Sequence, residues 1–322
     1  MIAHSGEYRK KNGQRGYVMM NNFIFENKTK VYFGKGGVKE YLGGLLANFG
    51  ETVMLAYGGG SIKCNGVYDE IMGILNAAGK RIVEFSGIMS NPTSAKVQDG
   101  AKLAHENNVD PILAVGGGSV SDCCKVISGA FDTLSHAMET YFGKPDENNL
   151  SDDINEAVMR SVIRNIRILL TDPENYDARS ELAQASAMAE NGVLKIGKVT
   201  DFQAHQIEHQ LGAYTNCNHG AGLAVIHPVL YRHIYKSGTA RFTRWAQNVW
   251  GIAPKGSDGE TAAGIDALAA FIKEIGLPTS FAELGIPADT DFRAVADSTN
   301  ITAGCCKKLT RDEICEILQE CL

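Results

Sequence analysis

The sequence TVMLAYGGGS, residues 52–61, decides the fold. A compact apolar run leads directly into three glycines and a serine, which is typical of a buried parallel strand that ends in a glycine turn. The arrangement returns as ILAV at Ile112–Val115, followed by a second GGGS at residues 116–119. Helical patterns separate these strands, and a further strand is predicted at Arg81–Phe85. This alternation predicts an α/β fold with a doubly wound parallel sheet.

The flanking segments follow from the same periodicity. Helices are predicted over residues 37–49, 65–78 and 93–106. Short apolar runs at residues 23–25 and 30–33 suggest an edge hairpin before the first helix. Residues 1–19 are polar and lack periodicity, so we expect a disordered leader there.

The composition changes beyond Gly129, where the segments read as amphipathic or buried helices and no strand pattern competes. The sequence therefore predicts a shortened dinucleotide-binding α/β domain over residues 20–128 and an all-helical, metal-binding domain over residues 129–322. Pro228 lies inside a helical run, so we expect a kink or a break there. We expect His227 to pack or hydrogen-bond within that kinked helix.

Composition excludes several classes of partner. The chain has 322 residues, is 44% hydrophobic and carries a net charge of -6, so nucleic acid and anionic membranes are poor partners. No apolar run is long enough to span a bilayer, and no secretory signal pattern is present. The eight cysteines show no CxxC spacing, which favours reduced thiols and a cytoplasmic protein.

Four of the eight histidines lie within residues 199–228. His205 and His209 are spaced i and i+4, which places both imidazoles on one face of a helix. His219 follows across a short polar stretch, where a turn would bring it back toward the pair. Spacing alone would nominate all three as metal ligands.

A second pair with the same spacing, Asp132 and His136, lies in FDTLSHAMETYF. Imidazole and carboxylate are ligands that Fe(II) and Zn(II) accept. The two pairs together predict a metal centre shared by two helices.

The glycine turns predict a nucleotide site. Glycine lets the backbone approach a ligand closely, and the N–H groups that open the next helix donate to phosphate oxygens. Neither turn is a Walker loop or a strict GxGxxG. Because the metal residues lie mostly in the helical domain, the cleft between the two domains is the predicted site.

These motifs carry a resemblance to a known family. YGGGSIK at residues 57–63, NPT at 91–93, VGGGSVSDCCK at 115–125, FDTLSHAMETYF at 131–142 and HQIEHQLGAYTNCNHGAGLA at 205–224 are similar to motifs of the iron-containing (group III) alcohol dehydrogenases, in their butanol dehydrogenase branch. The resemblance covers most of residues 20–322.

The resemblance implies an NAD(P)-dependent enzyme that transfers a hydride between the nicotinamide and a primary alcohol or aldehyde, with Fe(II) or sometimes Zn(II) bound. His209 matches a catalytic histidine near the substrate, which would relay a proton to solvent. The positions that match the family's metal ligands are Asp132, His136, His205 and His219. The positions that match its cofactor-binding turns are Gly58, Gly59, Gly60, Ser61, Gly116, Gly117, Gly118, Ser119, Asp122 and Lys125.

The resemblance also bears on the nucleotide and the assembly. GGGSIK has no acidic residue at the ribose position, where a carboxylate would bond the 2'-hydroxyl and repel a 2'-phosphate. We therefore expect NADP, with NAD as the alternative. The resemblance further suggests a homodimer.

One departure from the family lies between Lys125 and Phe131, where only residues 126–130 replace a segment of several tens of residues. The missing segment would carry cofactor-contacting threonines and the last strands of the nucleotide domain. Its loss leaves three strands, uncovers a sheet edge, and fuses residues 120–142 into one long helix or a helix broken at Gly129. A catalytically impaired protein that only binds nucleotide or metal is therefore an alternative.

A remote alternative is a metallopeptidase, because residues 205–209 read H-x-x-E-H. In that signature both histidines bind zinc and Glu208 acts as a base. The peptidase hypothesis leaves both GGGS turns and the pair of Asp132 and His136 unexplained. Replacing Glu208 by Gln would abolish a peptidase and leave a dehydrogenase largely functional.

Overall fold

The structure is a computed structural model that describes residues 24–27, 29–88, 94–116, 123–144, 148–253 and 258–322. The predicted leader, residues 1–19, lies outside these ranges. The predicted edge hairpin is wrong in its described part, because residues 24–25 and 30–33 form no strand. Their apolar side chains are exposed, Ile24 fully and Val31 to 71%, so no strand within the described ranges supports a ladder there.

A three-stranded parallel sheet in the order β2-β1-β3 forms the first layer. The predicted strands are confirmed as β1 Thr52–Tyr57, β2 Arg81–Phe85 and β3 Ile112–Val115. Every residue of β1 is buried, because the strand is paired on both sides and its faces are covered. The helices of this layer are α1 Gly37–Leu46, α2 Ser61–Cys64, α3 Val67–Ala77 and α4 Ser94–Glu106.

The second layer contains the larger hydrophobic core and consists of helices. They are α5 Cys123–Tyr141, α6 Leu150–Thr171, α7 Tyr176–Glu190, α8 Gln203–Thr215, α9 His219–Ile234, α10 Thr239–Trp250, α11 Asp258–Glu274, α12 Phe292–Ser298 and α13 Arg311–Glu320. The fold class, an α/β nucleotide-binding layer followed by a helical part, is confirmed.

Helix α5 runs without interruption through Gly129, so the shortened connection produces one long helix and not a broken one. The domain boundary predicted at residues 128/129 falls inside α5, and the division into domains stays a prediction. Strand β3 is an edge among the described strands, and Ile112 is 62% exposed on it. An uncovered sheet edge is thus present where the missing segment predicts one.

Of the two alternatives predicted at Pro228, a kink or a break, the break is wrong, because α9 continues from His219 to Ile234 with Pro228 inside it. Most of α9 is buried, and this packing outweighs the backbone hydrogen bond that proline cannot make. Among the described helices, none has the length and apolar character needed to cross a membrane.

Candidate metal centre

Helix α5 presents a polar stripe inside an otherwise buried helix. Ser128, Asp132, His136 and Glu139 recur at helical spacing, so their side chains follow one face. Neighbouring positions such as Phe131 are fully buried in the larger core. The apolar face thus fixes the rotation of α5, and the stripe is held toward α8 and α9.

Glu139 anchors the start of α8. The residue before α8, Phe202, has φ 54° and supplies no side-chain cap. Glu139 accepts hydrogen bonds from the backbone N–H of Ala204 at 2.6 Å and of His205 at 3.3 Å. A carboxylate at a helix N-terminus satisfies unpaired donors and complements the helix dipole. Glu139 also bonds His205 Nδ1, which turns Nε2 of that ring toward Asp132.

The start of α9 is fixed in a similar way. Asn218 caps it, accepting from Ala221 N at 3.0 Å, and the Ser128 hydroxyl donates to the same oxygen at 2.6 Å. His219, the first residue of α9, bonds through Nδ1 to Glu208 of α8. Gly222 makes this approach possible, because a Cβ there would lie 2.9 Å from the Glu208 side chain.

Three predicted ligands converge as a result. Asp132 Oδ1 lies 3.3 Å from His205 Nε2 and 3.5 Å from His219 Nε2, and the three ligand atoms lie within 4.8 Å of one another. Metal–ligand bonds of about 2.1 Å give a ligand–ligand edge of about 3.4 Å in a tetrahedral site. Asp132 Oδ1 and His205 Nε2 are buried and have no hydrogen-bond partner among the described residues. A metal ion would satisfy both atoms, so the residues fit one.

The electrostatics of this group favour a cation. Burial opposes charge on His205, but Glu139 and Asp132 raise the pKa of His205 to about 9. Burial likewise opposes charge on His219, whereas Asp132 and Glu208 raise its pKa to about 10. Despite burial, the imidazoles of His205 and His219 hold the pKa of Asp132 well below its usual range. Each imidazole lies between two carboxylates, an arrangement that stabilises positive charge.

The fourth predicted ligand, His136, lies beside this group. Its Nε2 is 3.7 Å from Asp132 Oδ1 and 3.0 Å from Glu190 Oε1, and its ring centroid is 4.3 Å from that of His205. Burial, reinforced by the nearby His205, lowers the pKa of His136 to about 4. His136 is therefore neutral at neutral pH, which is the form that binds metals.

His209 is exposed and stacks on His219, with ring centroids 5.2 Å apart. Desolvation and the neighbouring His219 lower its pKa, so its imidazole is neutral. Glu208, His209 and His219 form a second group with ligand atoms within 4.8 Å. In that group Glu208 already bonds His219 Nδ1. Glu208 is buried and orients a histidine, which does not support its role as a peptidase base.

His227 packs within its own helix as predicted, with its ring centroid 5.0 Å from that of Tyr231 on α9. Its Nε2 bonds the Ser135 hydroxyl on α5 at 2.5 Å, not a group within its own helix. Its ring also lies edge-on to Phe131, with centroids 6.2 Å apart. Because α9 is not broken at Pro228, His227 packs across to α5 and ties the two metal-site helices together.

The predicted cofactor residues are described in part. Gly58, Gly59, Gly60 and Ser61 follow the carboxyl end of β1, and space is open where a Cβ of Gly59 or Gly60 would lie. Gly116 follows β3. Residues outside the described ranges are Gly117, Gly118, Ser119 and Asp122, and the side chain of Lys125 is also not described.

Sequence reasoning missed Glu139, Ser128, Asn218 and Glu190 as members of the site. Glu139 could have been found, because it lies seven positions after Asp132 and shares its helical face. Asn218 immediately precedes a helix and is a typical N-cap. Glu190 carries no such signal, since α7 reaches the site through tertiary packing.

Two family models match the chain. "Iron-containing alcohol dehydrogenase" matches residues 28–157, and "Fe-containing alcohol dehydrogenase family, C-terminal" matches residues 126–322. The probable NADH-dependent butanol dehydrogenase 1 of Bacillus subtilis is 30% identical, over 94% of this chain and 100% of that protein. That alignment spans 389 positions, more than the 322 residues here, so the relative contains residues that this chain lacks.

Two further similarities extend the comparison. The NADPH-dependent aldehyde reductase YqhD of Escherichia coli is 25% identical, over 83% of this chain and 90% of that protein. The crystal structure of NADH-dependent butanol dehydrogenase A from Thermotoga maritima superposes with a TM-score of 0.87 at 26% identity, covering 94% of this chain and 99% of that one. The chain therefore belongs to the iron-containing alcohol dehydrogenase family.

Proposed function

We propose that this protein is a metal-dependent alcohol dehydrogenase and aldehyde reductase, which transfers a hydride between NAD(P)(H) and a primary alcohol or aldehyde. The observation that carries the proposal is the convergence of Asp132, His205 and His219, with both histidines oriented by buried carboxylates. The names of the relatives, butanol dehydrogenases and an aldehyde reductase, support the substrate class.

Asp132, His205 and His219, with His136 beside them, would hold Fe(II), or alternatively Zn(II). When bound, the metal supplies a Lewis acid for the substrate oxygen. Glu139 and Glu208 keep the two histidine rings in place and fix which ring nitrogen faces the centre.

His209 is the proposed proton carrier. Its ring is stacked on His219 and is exposed, so one side faces the metal group and the other faces water. Because its pKa is lowered, the neutral imidazole accepts a proton at a ring nitrogen and releases it readily to solvent.

The glycine turns would bind the nucleotide, and the sequence favours NADP through the absence of an acid at Gly58 to Ser61. Glu84, on the strand beside β1, accepts hydrogen bonds from Tyr57 at 2.6 Å and Tyr68 at 2.7 Å. Its carboxylate is thus already engaged. We expect kcat/KM with NADPH to be no more than about 10-fold lower than kcat/KM with NADH. Rejection of NADPH by more than about 100-fold would contradict the NADP proposal.

The direct test is turnover by the purified chain. Oxidation of 1-butanol with NAD(P), followed at the absorbance of the reduced nucleotide, should require added Fe(II) and stop when a chelator is present. His205→Ala should remove turnover and keep the fold. Equal rates with and without chelator would contradict metal dependence.

A catalytically impaired protein is the second candidate, and one observation favours it. The described sheet ends at β3, whose residue Ile112 is largely exposed, in the region where the missing segment would continue. Saturable enhancement of NADPH fluorescence without turnover would support this candidate. Turnover at rates above the metal-free background would exclude it.

Two further proposals concern the location of the protein in the cell and its oligomeric state. Six cysteines of the described residues form no disulfide: Cys64, Cys217, Cys305, Cys306, Cys315 and Cys321. Cysteines without disulfides support the proposed cytoplasmic location, since such compartments keep cysteine reduced. The proposed homodimer rests on the family resemblance and is tested by sedimentation.

A further inference from the structure

A cluster of four polar side chains lies beside the first glycine turn. Its members are Tyr57 at the end of β1, Glu84 near the end of β2, Lys63 of α2 and Tyr68 of α3. The parallel register of β1 and β2 puts Tyr57 and Glu84 on the same face of the sheet. The cluster is therefore at the carboxyl edge of these two strands, where doubly wound folds bind their ligands.

Glu84 lies where a dinucleotide site has its ribose-binding acid. Such an acid stands near the end of the second strand and bonds the ribose 2'-hydroxyl. In this chain each Glu84 oxygen already accepts a hydroxyl, Oε2 from Tyr57 at 2.6 Å and Oε1 from Tyr68 at 2.7 Å. These two hydrogen bonds lower the pKa of Glu84, so the group is ionised at neutral pH. They also leave the carboxylate less capacity to accept a ribose hydroxyl.

Lys63 supplies a positive charge at the same place. Its Nζ lies 3.8 Å from Glu84 Oε2, 4.6 Å from the ring centroid of Tyr68 and 5.3 Å from that of Tyr57. The contact with Tyr57, supported by the charge of Glu84, raises the pKa of Lys63. The distance to Glu84 is longer than a direct hydrogen bond, and an ammonium has three N–H donors. Because the Lys63 side chain is also 49% exposed, its ammonium can donate to an anion that enters from solvent.

The space beside the turn is open to such an anion, since no described atom lies within 4 Å of where a Cβ of Gly59 or Gly60 would be. A cation near the ribose position accommodates a 2'-phosphate, whereas a 2'-hydroxyl gains little from it. We propose that Lys63, held by Glu84 and the two tyrosines, binds the 2'-phosphate of NADP(H) and sets the preference between the two nucleotides. The inference rests on the nucleotide site of the proposed function and assigns its selectivity to one residue.

Fluorescence titration of the full chain with NADPH and with NADH tests the assignment. The two probes differ by the 2'-phosphate alone, and binding requires no turnover. Lys63→Met should weaken NADPH binding by about 10- to 100-fold and NADH binding by less than about 2-fold, because it removes a charge-assisted hydrogen bond to the phosphate. Lys63→Arg keeps the charge and should bind NADPH within about 3-fold of the wild type.

Lys102→Met is the matched control, because it removes the same charge from a side chain of α4 that is 76% exposed and pairs with Glu106 at 3.9 Å. This control should bind both nucleotides as the wild type does, and circular dichroism verifies that each variant folds. Equal weakening of NADPH and NADH in Lys63→Met, or weakening of neither, would overturn the proposal. Failure of the wild type to bind either nucleotide would overturn the nucleotide site itself, a result distinct from wild-type binding that Lys63→Met leaves unaltered.

Discussion

At the residue scale, the site depends on carboxylates that reach histidines on another helix. Glu139 of α5 holds His205 of α8, and Glu208 of α8 holds His219 of α9. The chain of contacts runs from α5 to α8 to α9, so each helix positions a proposed metal ligand on the next helix. Such outer carboxylates fix the ring orientation and raise the basicity of the ligand.

Glu208→Gln tests this arrangement. The sequence alone predicts a largely functional dehydrogenase in this variant, but the buried contact to His219 changes that expectation. We now expect metal affinity to fall by about 10- to 100-fold, because an amide supports the imidazole ligand less well than a carboxylate. Chelator competition measures the change, with Glu181→Gln, an exposed glutamate on α7, as the control. Unchanged affinity would show that Glu208 does not orient the ligand.

Asp201 provides a pH-dependent stability prediction. Burial, with the neighbouring Glu139, raises its pKa from 3.8 to about 7. Between these values the folded protein holds the proton more tightly than the unfolded chain, so this group's contribution to stability is lost as pH rises through that window. The loss has a slope of at most about 1.4 kcal/mol per pH unit.

Asp201→Asn removes this ionisation and keeps an oxygen that accepts from Gln203 N, a bond of 3.2 Å in the wild type. Relative to wild type, the variant should therefore gain stability as pH rises from 5 to 8. Urea unfolding at both pH values measures the two free energies. An identical pH dependence in both proteins would rule out the raised pKa.

At the element scale, α5 is anchored at its carboxyl end. The backbone oxygen of Tyr141 accepts from Lys198 at 3.0 Å and from Arg241 at 2.9 Å. Asp152 lies at the start of α6, and its side chain is fully buried. Its Oδ1 is 2.6 Å from Lys198 Nζ and 2.9 Å from Arg241 Nη1. Two cations at the helix C-terminus complement its dipole, and Asp152 balances their charge.

Asp152→Ala should destabilise the protein by about 3–5 kcal/mol, because it removes a buried carboxylate that contacts two buried cations. Urea denaturation measures the loss. The adjacent Asp153→Ala is the control, since Asp153 is 63% exposed where it pairs with Arg244. That exposed pair should contribute less than about 1 kcal/mol. A similar small loss in both variants would contradict a buried anchoring role for Asp152.

The sequence predicted elements well where local periodicity determines them. Strands β1 and β3 were found because each is a short apolar run, and β2 because the alternation of strands and helices continues between them. Asp132 and His136 were paired because helical spacing places them on one face. The sequence left open whether α9 continues through Pro228 or breaks there, since the buried packing that holds the helix together is not visible in the local pattern. The cap of α8 was also missed, because Glu139 is distant from it in sequence.

At the scale of the whole molecule, the two layers have separate hydrophobic cores. The metal group is built from α5, α8 and α9, which all belong to the helical layer. The shortened connection affects the edge of the sheet, so the metal group does not depend on the missing strands. This separation explains how a family member can lack a segment and still bring Asp132, His205 and His219 together.

The separation of the sheet layer from the helical layer limits how much of the site the sequence could predict. Motifs nominated four ligands, and three of them, Asp132, His205 and His219, converge in the structure while His136 lies beside them; their role as ligands stays a prediction. The approach of Glu190 to His136 depends on how α7 packs against α5, which no motif encodes. The nucleotide side depends on the turn after β3, most of which lies outside the described residues, whereas the departure from the family lies at residues 126–130 within α5.

The metal content of the chain tests the central claim most directly. Protein purified without oxygen and incubated with Fe(II) should retain about one ion per chain after desalting, measured by inductively coupled plasma mass spectrometry. His205→Ala and Asp132→Asn, checked for folding by circular dichroism, should retain far less. Wild-type protein without bound metal, or variants that retain as much metal as wild type, would contradict the assignment of Asp132, His205 and His219 as a metal centre.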